Sequence, residues 1–136
     1  MTPGALKAEA DRARREGRFE AAEDLLRQAV AILRPEGESL ALAHTIRHLA
    51  DLYRHLGNAD EAARCGTEGL EIYRRFADAA PPLDLANAVR SMALISEMTG
   101  NRDDARALWE EAKTLYGRCG VSSGVSESET RLTSLR

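Results

Sequence analysis

Cysteine is scarce in this chain. Of 136 residues only Cys65 and Cys119 are cysteines, 54 positions apart with no second thiol near either. That spacing offers neither a paired metal motif nor a disulfide framework, and it predicts a reduced, cytoplasmic chain with no cofactor or metal. Aromatics amount to 4% (Phe19, Tyr53, Tyr73, Phe76, Trp109 and Tyr116), so Ala and Leu must supply most of a core drawn from 43% hydrophobic residues. Such a composition favours helices. A basic excess is missing too: 19 Lys and Arg stand against 22 Asp and Glu, a formal charge of −3, with the two signs interleaved. Nucleic-acid binders ordinarily show clustered positive charge, so that class is not expected. No stretch approaches the roughly 18 apolar residues needed to span a bilayer, and the start MTPGALKAEADR lacks a signal-peptide core. No membrane association is expected, and no segment alternates as a β-strand would.

What is present is repetition. REGRFEAAEDLLRQAVAILR, HLGNADEAARCGTEGLEIYR and MTGNRDDARALWEEAKTLYG align on Gly17, Gly57 and Gly100, each followed five residues later by Ala22, Ala62 or Ala105. Each glycine stands where one helical pattern stops and another starts, the place of a left-handed C-terminal cap. Asn58 and Asn101 are the expected N-caps, with Glu61 and Asp104 three residues on to complete capping boxes and meet the positive helix end. Helical patterns precede each glycine: Ala5 to Glu16 behind Thr2 and Pro3, Leu40 to Leu56 capped by Ser39, and Leu83 to Thr99 after Pro81 and Pro82. The connections RPEGES and ADAAPP hold three of the four prolines and punctuate the units.

The serine- and glycine-rich end, GVSSGVSESETRLTSLR, reads either as a frayed tail or as a further helix. Adding the repeat spacing of 43 to Leu85, Val89 and Met92 lands on Ser128, Leu132 and Leu135. Ser126 to Arg136 thus takes the place of a fourth first-helix, with Ser126 and Glu129 as its capping box and a polar outer face to end the core. The expected organisation is one domain over residues 1–136: repeats at about 3–34, 40–76 and 83–118, and a capping helix at about 126–136.

These residues resemble the tetratricopeptide repeat family, whose pattern places large and small apolar residues at fixed positions of two helices. Repeat two matches best, with Ile46, Leu49, Ala50, Tyr53 and Ala62. Repeat three supplies Val89, Met92, Ala93, Ala105, Trp109 and Ala112, with Ser96 replacing the tyrosine. Repeat one is sparser, with Leu6, Ala10, Ala13, Ala22, Leu26 and Ala29, while Gly66 and Gly69 depart from the pattern and are expected to soften their helix. The long period is similar to kinesin light chain and bacterial regulator repeats. The resemblance implies an all-α, right-handed solenoid of three helix-turn-helix repeats with a C-terminal cap, acting as a non-enzymatic protein-interaction module.

Chemistry-bearing patterns are few. His44, His48 and His55 share a helical stripe with Asp51, and the i, i+4 pair could share a zinc ion. His55 lies about 10 Å further along the axis, too far for the same ion, and Thr45 stands where a catalytic Glu would be. The stripe is read as polar and groove-facing. Neither cysteine has a nucleophile motif around it and no GxSxG or phosphate-cradling loop exists. The run Arg12, Arg14, Arg15 and Arg18 is threaded with Glu9, Asp11, Glu16 and Glu20 at ion-pair spacings, as on a solvated face.

By the resemblance, a ligand would lie along the first helices. Registering on the turn glycines gives Lys7, Asp11 and Arg14 from repeat one, and His44, Arg47, Asp51, Arg54 and His55 from repeat two. Repeat three supplies Asn87, Arg90, Leu94, Glu97 and Met98. Five cations against three carboxylates leave this stripe at +2 and the rest of the chain at −5. An acidic or carboxylate-bearing peptide is the expected partner, with Leu94 and Met98 as an apolar anchor. The polar pattern of chaperone-type carboxylate clamps is not reproduced, since Asp11, His48 and Ser91 stand in its places. Two other readings stay open: that Asp11, Arg14, Arg47, Asp51 and Arg54 form only helical ion pairs, and that the chain homodimerises as a scaffold with no peptide ligand.

Overall fold

The computed structural model describes residues 1–79 and 81–136; Ala80, in the ADAAPP connection, lies outside them. Among the described residues the chain forms α1 (Pro3–Arg15), α2 (Phe19–Leu33), α3 (Leu40–His55), α4 (Ala59–Arg75), α5 (Pro82–Met98), α6 (Arg102–Cys119) and α7 (Ser122–Ser134), with a 3-10 turn at Arg34–Glu36. Consecutive helices pack antiparallel as α1 with α2, α3 with α4 and α5 with α6. Each pair stacks on the next, α3 also touches α5, and α7 closes on α6. The result is an all-α, right-handed solenoid.

The turns explain why the pairs close so tightly. Gly17, Gly57 and Gly100 have φ of 78°, 79° and 80°. In each case the glycine N–H and the following N–H bond back to helix carbonyls: for Gly57 these are Arg54 O at 3.1 Å and, from Asn58, Tyr53 O at 2.9 Å. This double closure satisfies orphan carbonyls with one left-handed residue, which glycine occupies without a Cβ penalty. Thr2, Ser39 and Asn58 cap their helices, accepting from the N–H groups of Ala5, Leu42 and Glu61. Two expected caps do not form. Asn101 instead donates to Thr99 Oγ1 at 3.0 Å, and the Glu61 carboxylate binds Arg64 rather than reaching back to Asn58.

The last helix begins earlier than 126. Gly120 (φ 72°) repeats the same double closure, with its N–H on Gly117 O and that of Val121 on Tyr116 O, so α7 starts at Ser122. Ser126 sits inside the helix, where its carbonyl accepts from Thr130 Oγ1, and Ser126 with Glu129 is not a capping box. The stripe facing the core is Gly124, Ser128 and Leu135.

Small residues set the helix spacing. Ala50, Ala62, Ala93 and Ala105 have no measurable exposure, and Tyr53, Tyr73, Trp109 and Tyr116 are buried between them. Helix α4 runs unbroken through both of its glycines. A Cβ on Gly66 would lie 2.8 Å from Ile95 Cδ1 and one on Gly69 3.5 Å from Ala43 O, so these glycines admit the neighbouring first helices rather than softening α4. Cys65 is buried with its thiol pushed up by desolvation, and Cys119 is half-buried; both are free thiols.

Candidate functional site

Helices α1 and α3 carry the polar side chains of two adjoining cavities, and α5 touches α3. Lys7, Asp11, Arg14, His44, Arg47 and His48 line one cavity of about 460 Å³. A second, of about 390 Å³, adjoins it through Arg14, His48 and Leu52 and adds Phe19, Asp51, Arg54 and His55. A trough therefore runs along repeats one and two.

Its charges are partly spoken for. Asp11 takes Arg14 at 2.6 Å and Arg15 at 2.7 Å, bonds that hold its carboxyl below the usual range. Asp51 sits between Arg47 at 3.2 Å and Arg54 at 3.9 Å and also accepts from Ser91 Oγ across the α3–α5 seam. The expected helical ion pairs thus form. They do not exhaust the donors: the Nε atoms of Arg47 and Arg54 and the hydroxyl of Tyr73 are buried without a hydrogen-bond partner. Arg47 is nearly enclosed, its side chain only 15% exposed. Buried unpaired donors are costly.

The two histidines are locked in one tautomeric arrangement. His48 Nε2 lies 3.4 Å from Arg47 Nη2 and 3.2 Å from His44 Nε2. A guanidinium can only donate. His48 Nε2 is therefore the acceptor, its proton is on Nδ1, and His44 donates from Nε2–H. Burial, then Arg47, holds His48 down to about 3; burial, then Lys7 and Arg47, holds His44 down to about 4. Lys7 is lowered as well, first by burial and then by Arg47. Cations crowd this pocket, which makes it a poor seat for a metal ion. Among the described residues no group of three His, Cys, Asp or Glu side chains gathers as a metal site. His55 lies in the adjoining cavity, its ring tilted by 47° against that of Phe19 at a centroid distance of 4.9 Å.

Repeat three behaves differently. Arg90 is held by Glu127 of α7 through two bonds, at 2.5 and 3.0 Å, and Glu97 accepts from Trp109 Nε1 at 2.7 Å and from Arg131 at 3.3 Å. Asn87 accepts the Tyr116 hydroxyl at 2.7 Å. Leu94 is 8% exposed and belongs to the core, so the apolar anchor reduces to Met98, 37% exposed. Sequence reasoning missed Glu127 and Arg131, which could have been found by placing the start of α7 after Gly120, which brings the helix beside α5 and α6; Ser91, noted only as a departure from the carboxylate clamp, binds Asp51. On the groove of repeats one and two, four cations face two carboxylates; in repeat three and α7, Arg90 and Arg131 are matched by Glu127 and Glu97. The positive excess thus sits at one end.

Comparison with known proteins places this geometry. The tetratricopeptide repeat family model matches residues 8–75, half of the chain. A solved protein of Podosopora anserina, described as a kinesin light chain with nearly identical TPR-like repeats, superposes over 96% of this chain with a TM-score of 0.80 at 20% identity. BtubC (BKLC) of P. vanneervenii does so over 98% with a TM-score of 0.74 at 19% identity. At such identities the likeness speaks to the fold alone. The chain covers 64% and 63% of those two structures, a little under two thirds of their length. No curated protein matches it.

Proposed function

Since the chain belongs to the tetratricopeptide repeat family, whose fold suggests a protein-interaction or scaffold role, we propose that it captures an acidic peptide segment of a partner protein along the trough of repeats one and two, without catalysis. The observation that carries this reading is the joined pair of cavities, in which four cations face two carboxylates and two arginine Nε donors lack acceptors. A carboxylate entering there gains charge-assisted bonds from groups that are already desolvated, so its own desolvation is the main cost to offset. Arginine favours this chemistry over lysine because its planar fork meets both oxygens of one carboxylate. The setting proposed is cytoplasmic, in keeping with two free thiols. Among the described residues no helix is long and apolar enough to cross a membrane.

Arg90 is a poor probe of the groove, because it also ties α7 to the body. Lys7→Glu with Arg14→Glu is cleaner, since both lie on α1 and Arg14 makes only an exposed pair with Asp11. The double variant is expected to weaken capture of an acidic partner by about tenfold or more while the thermal melt is kept. Unchanged capture removes the groove reading. Light scattering across a concentration series tests the other occupant: a stable dimer that buries Lys7 and Arg14 would replace the peptide with a second copy.

A further inference from the structure

The 460 Å³ cavity between α1 and α3 holds more than positive charge. Its two imidazoles, pushed toward the neutral form by burial and by the neighbouring cations, meet ring to ring, with an Arg47 donor beside the same His48 nitrogen. The groups that face them can be named element by element. Helix α1 brings Lys7, Asp11 and Arg14, and α2 brings only the apolar Ala22 and Leu26. Helix α3 itself adds Arg47, with Asp51 bound to it. From α5, Asp84 acts weakly on His44, and from α4 the buried Tyr73 hydroxyl lies beside Arg47. Asp11 is already occupied by Arg14 and Arg15, so the cations dominate. Cations and burial both disfavour an imidazolium in the empty cavity. An anion entering it reverses the first effect.

We infer that this cavity takes up an oxyanion of the partner together with one proton from solvent, the proton being held by the His44–His48 pair. The inference rests on the groove reading and adds its regulation: capture tightens as pH falls. The proton balance is simple. His44 already donates from Nε2–H to His48, so the added proton goes to its other ring nitrogen, and the bond between the rings becomes charge-assisted. His48 stays neutral, still accepting from Arg47 and His44. The incoming oxyanion balances the new charge and accepts from Lys7 and from the part of the Arg47 guanidinium that reaches the cavity.

Linkage sets the size of the effect. Burial, the larger cause, persists when the anion enters, so His44 rises from about 4 only part of the way to 6.5, and affinity gains severalfold, about 30-fold at most, between about pH 7.5 and about pH 5. Two probes keep their charge over most of this range: sulfate, which mimics a phosphate ester, and an acetylated tetra-aspartate peptide, which supplies carboxylates. Calorimetry in buffers of differing ionisation heat is expected to show uptake of close to one proton with at least one probe, and the probe that shows it assigns the oxyanion source. Imidazole NMR of the unaltered protein is expected to show both rings titrating well below their ordinary range when free, with His44 moving upward when the probe binds. In His44→Gln with His48→Gln, the ratio of the affinities at the two pH values falls to about one. Affinities equal within about twofold at the two pH values, a pH dependence that survives in the double variant, or no binding of either probe at about pH 5 would each overturn the inference. If the probes fail while Lys7→Glu with Arg14→Glu still weakens capture of an acidic partner, proton uptake falls and the groove reading stands.

Discussion

The same substitution, glycine to alanine, should have opposite effects at two positions only seven residues apart. In a helix interior alanine is favoured over glycine by about 0.5–1 kcal/mol, because glycine loses more backbone freedom on folding. Gly117 lies in the exposed last part of α6, and a Cβ there meets nothing nearer than Val125 Cγ2 at 4.0 Å, an ordinary contact. Gly117→Ala should therefore stabilise by up to about 1 kcal/mol. At Gly124 in α7 a Cβ would stand 2.4 Å from Tyr116 Cγ and 2.6 Å from Cδ1 and Cδ2. Tyr116 cannot easily swing aside: its ring is 3% exposed and its hydroxyl is fixed on Asn87 at 2.7 Å. Either the ring or α7 must retreat by about 1 Å in a packed interior, at a cost of about 1–3 kcal/mol that outweighs the propensity gain. Retreat of α7 also loosens Glu127 on Arg90 and Arg131 on Glu97. Net destabilisation of about 1–2 kcal/mol lowers the melting temperature by about 3–8 °C for a domain of this size. Circular-dichroism melts of both variants read the sign, and amide exchange along α7 locates the loss. A Gly124→Ala protein as stable as the parent, or shifted in the same direction as Gly117→Ala, would refute the docking of α7 through Tyr116.

Other perturbations probe the remaining layers. Ala62→Leu places three extra carbons where exposure is 0%, and overpacking of the α3–α4 contact should cost about 1–3 kcal/mol in a urea titration; an unaltered midpoint would count against that packing. Arg90→Glu and Glu127→Arg should each loosen α7, while the two together restore it, with a coupling of about 0.5–1 kcal/mol for this partly exposed pair; a double variant no better than the worse single one would show that the pair does not hold α7. Stability should also fall on acidification between 6.5 and 4.5, before the glutamates titrate. His44 and His48 are held down to about 4 and about 3 in the native state, so in that window the unfolded chain binds more protons at these two sites and each step down in pH favours it. Below that window Asp11, Glu68, Glu111 and Glu127, all lowered by their arginine partners, protonate and remove further stability. His44→Gln with His48→Gln should flatten the upper part of the curve only.

How much of this could be read from the sequence depended on whether the signal was local. Gly17, Gly57 and Gly100 announced the turns because a left-handed cap needs glycine whatever surrounds it, and the alanines five residues on followed from the same register. The start of α7 was misplaced because Ser126 and Glu129 imitate a capping box, whereas the true boundary rests on Gly120, a fourth copy of the turn. Gly66 and Gly69 looked like weak points because propensity is a property of one helix, while their use, admitting Ile95 and the backbone at Ala43, belongs to pairs of helices. The His44–His48 bond was legible as an i, i+4 spacing. Its neutral state was not, since that follows from Lys7 on another helix and from burial.

Two repeat positions distinguish the ends of the groove: Asp51 corresponds to Leu94 and Arg54 to Glu97, each 43 residues on. Arg47 and Arg90 are 43 residues apart and occupy equivalent places on α3 and α5. Four residues beyond Arg47 stands Asp51, which serves Arg47, Arg54 and Ser91 together. Four residues beyond Arg90 stands Leu94, which turns into the core. Arg90 thus has no carboxylate on its own helix at that spacing, and its partner comes from α7, whose Glu127 gives it both oxygens. One carboxylate shared between two arginines neutralises them incompletely and leaves an Nε donor on each without an acceptor. A carboxylate devoted to one arginine leaves no such deficit. The exchange of Asp for Leu between successive repeats leaves Arg90 to a partner on α7, and that of Arg for Glu, at Arg54 and Glu97, turns a cation of repeat two into a carboxylate of repeat three.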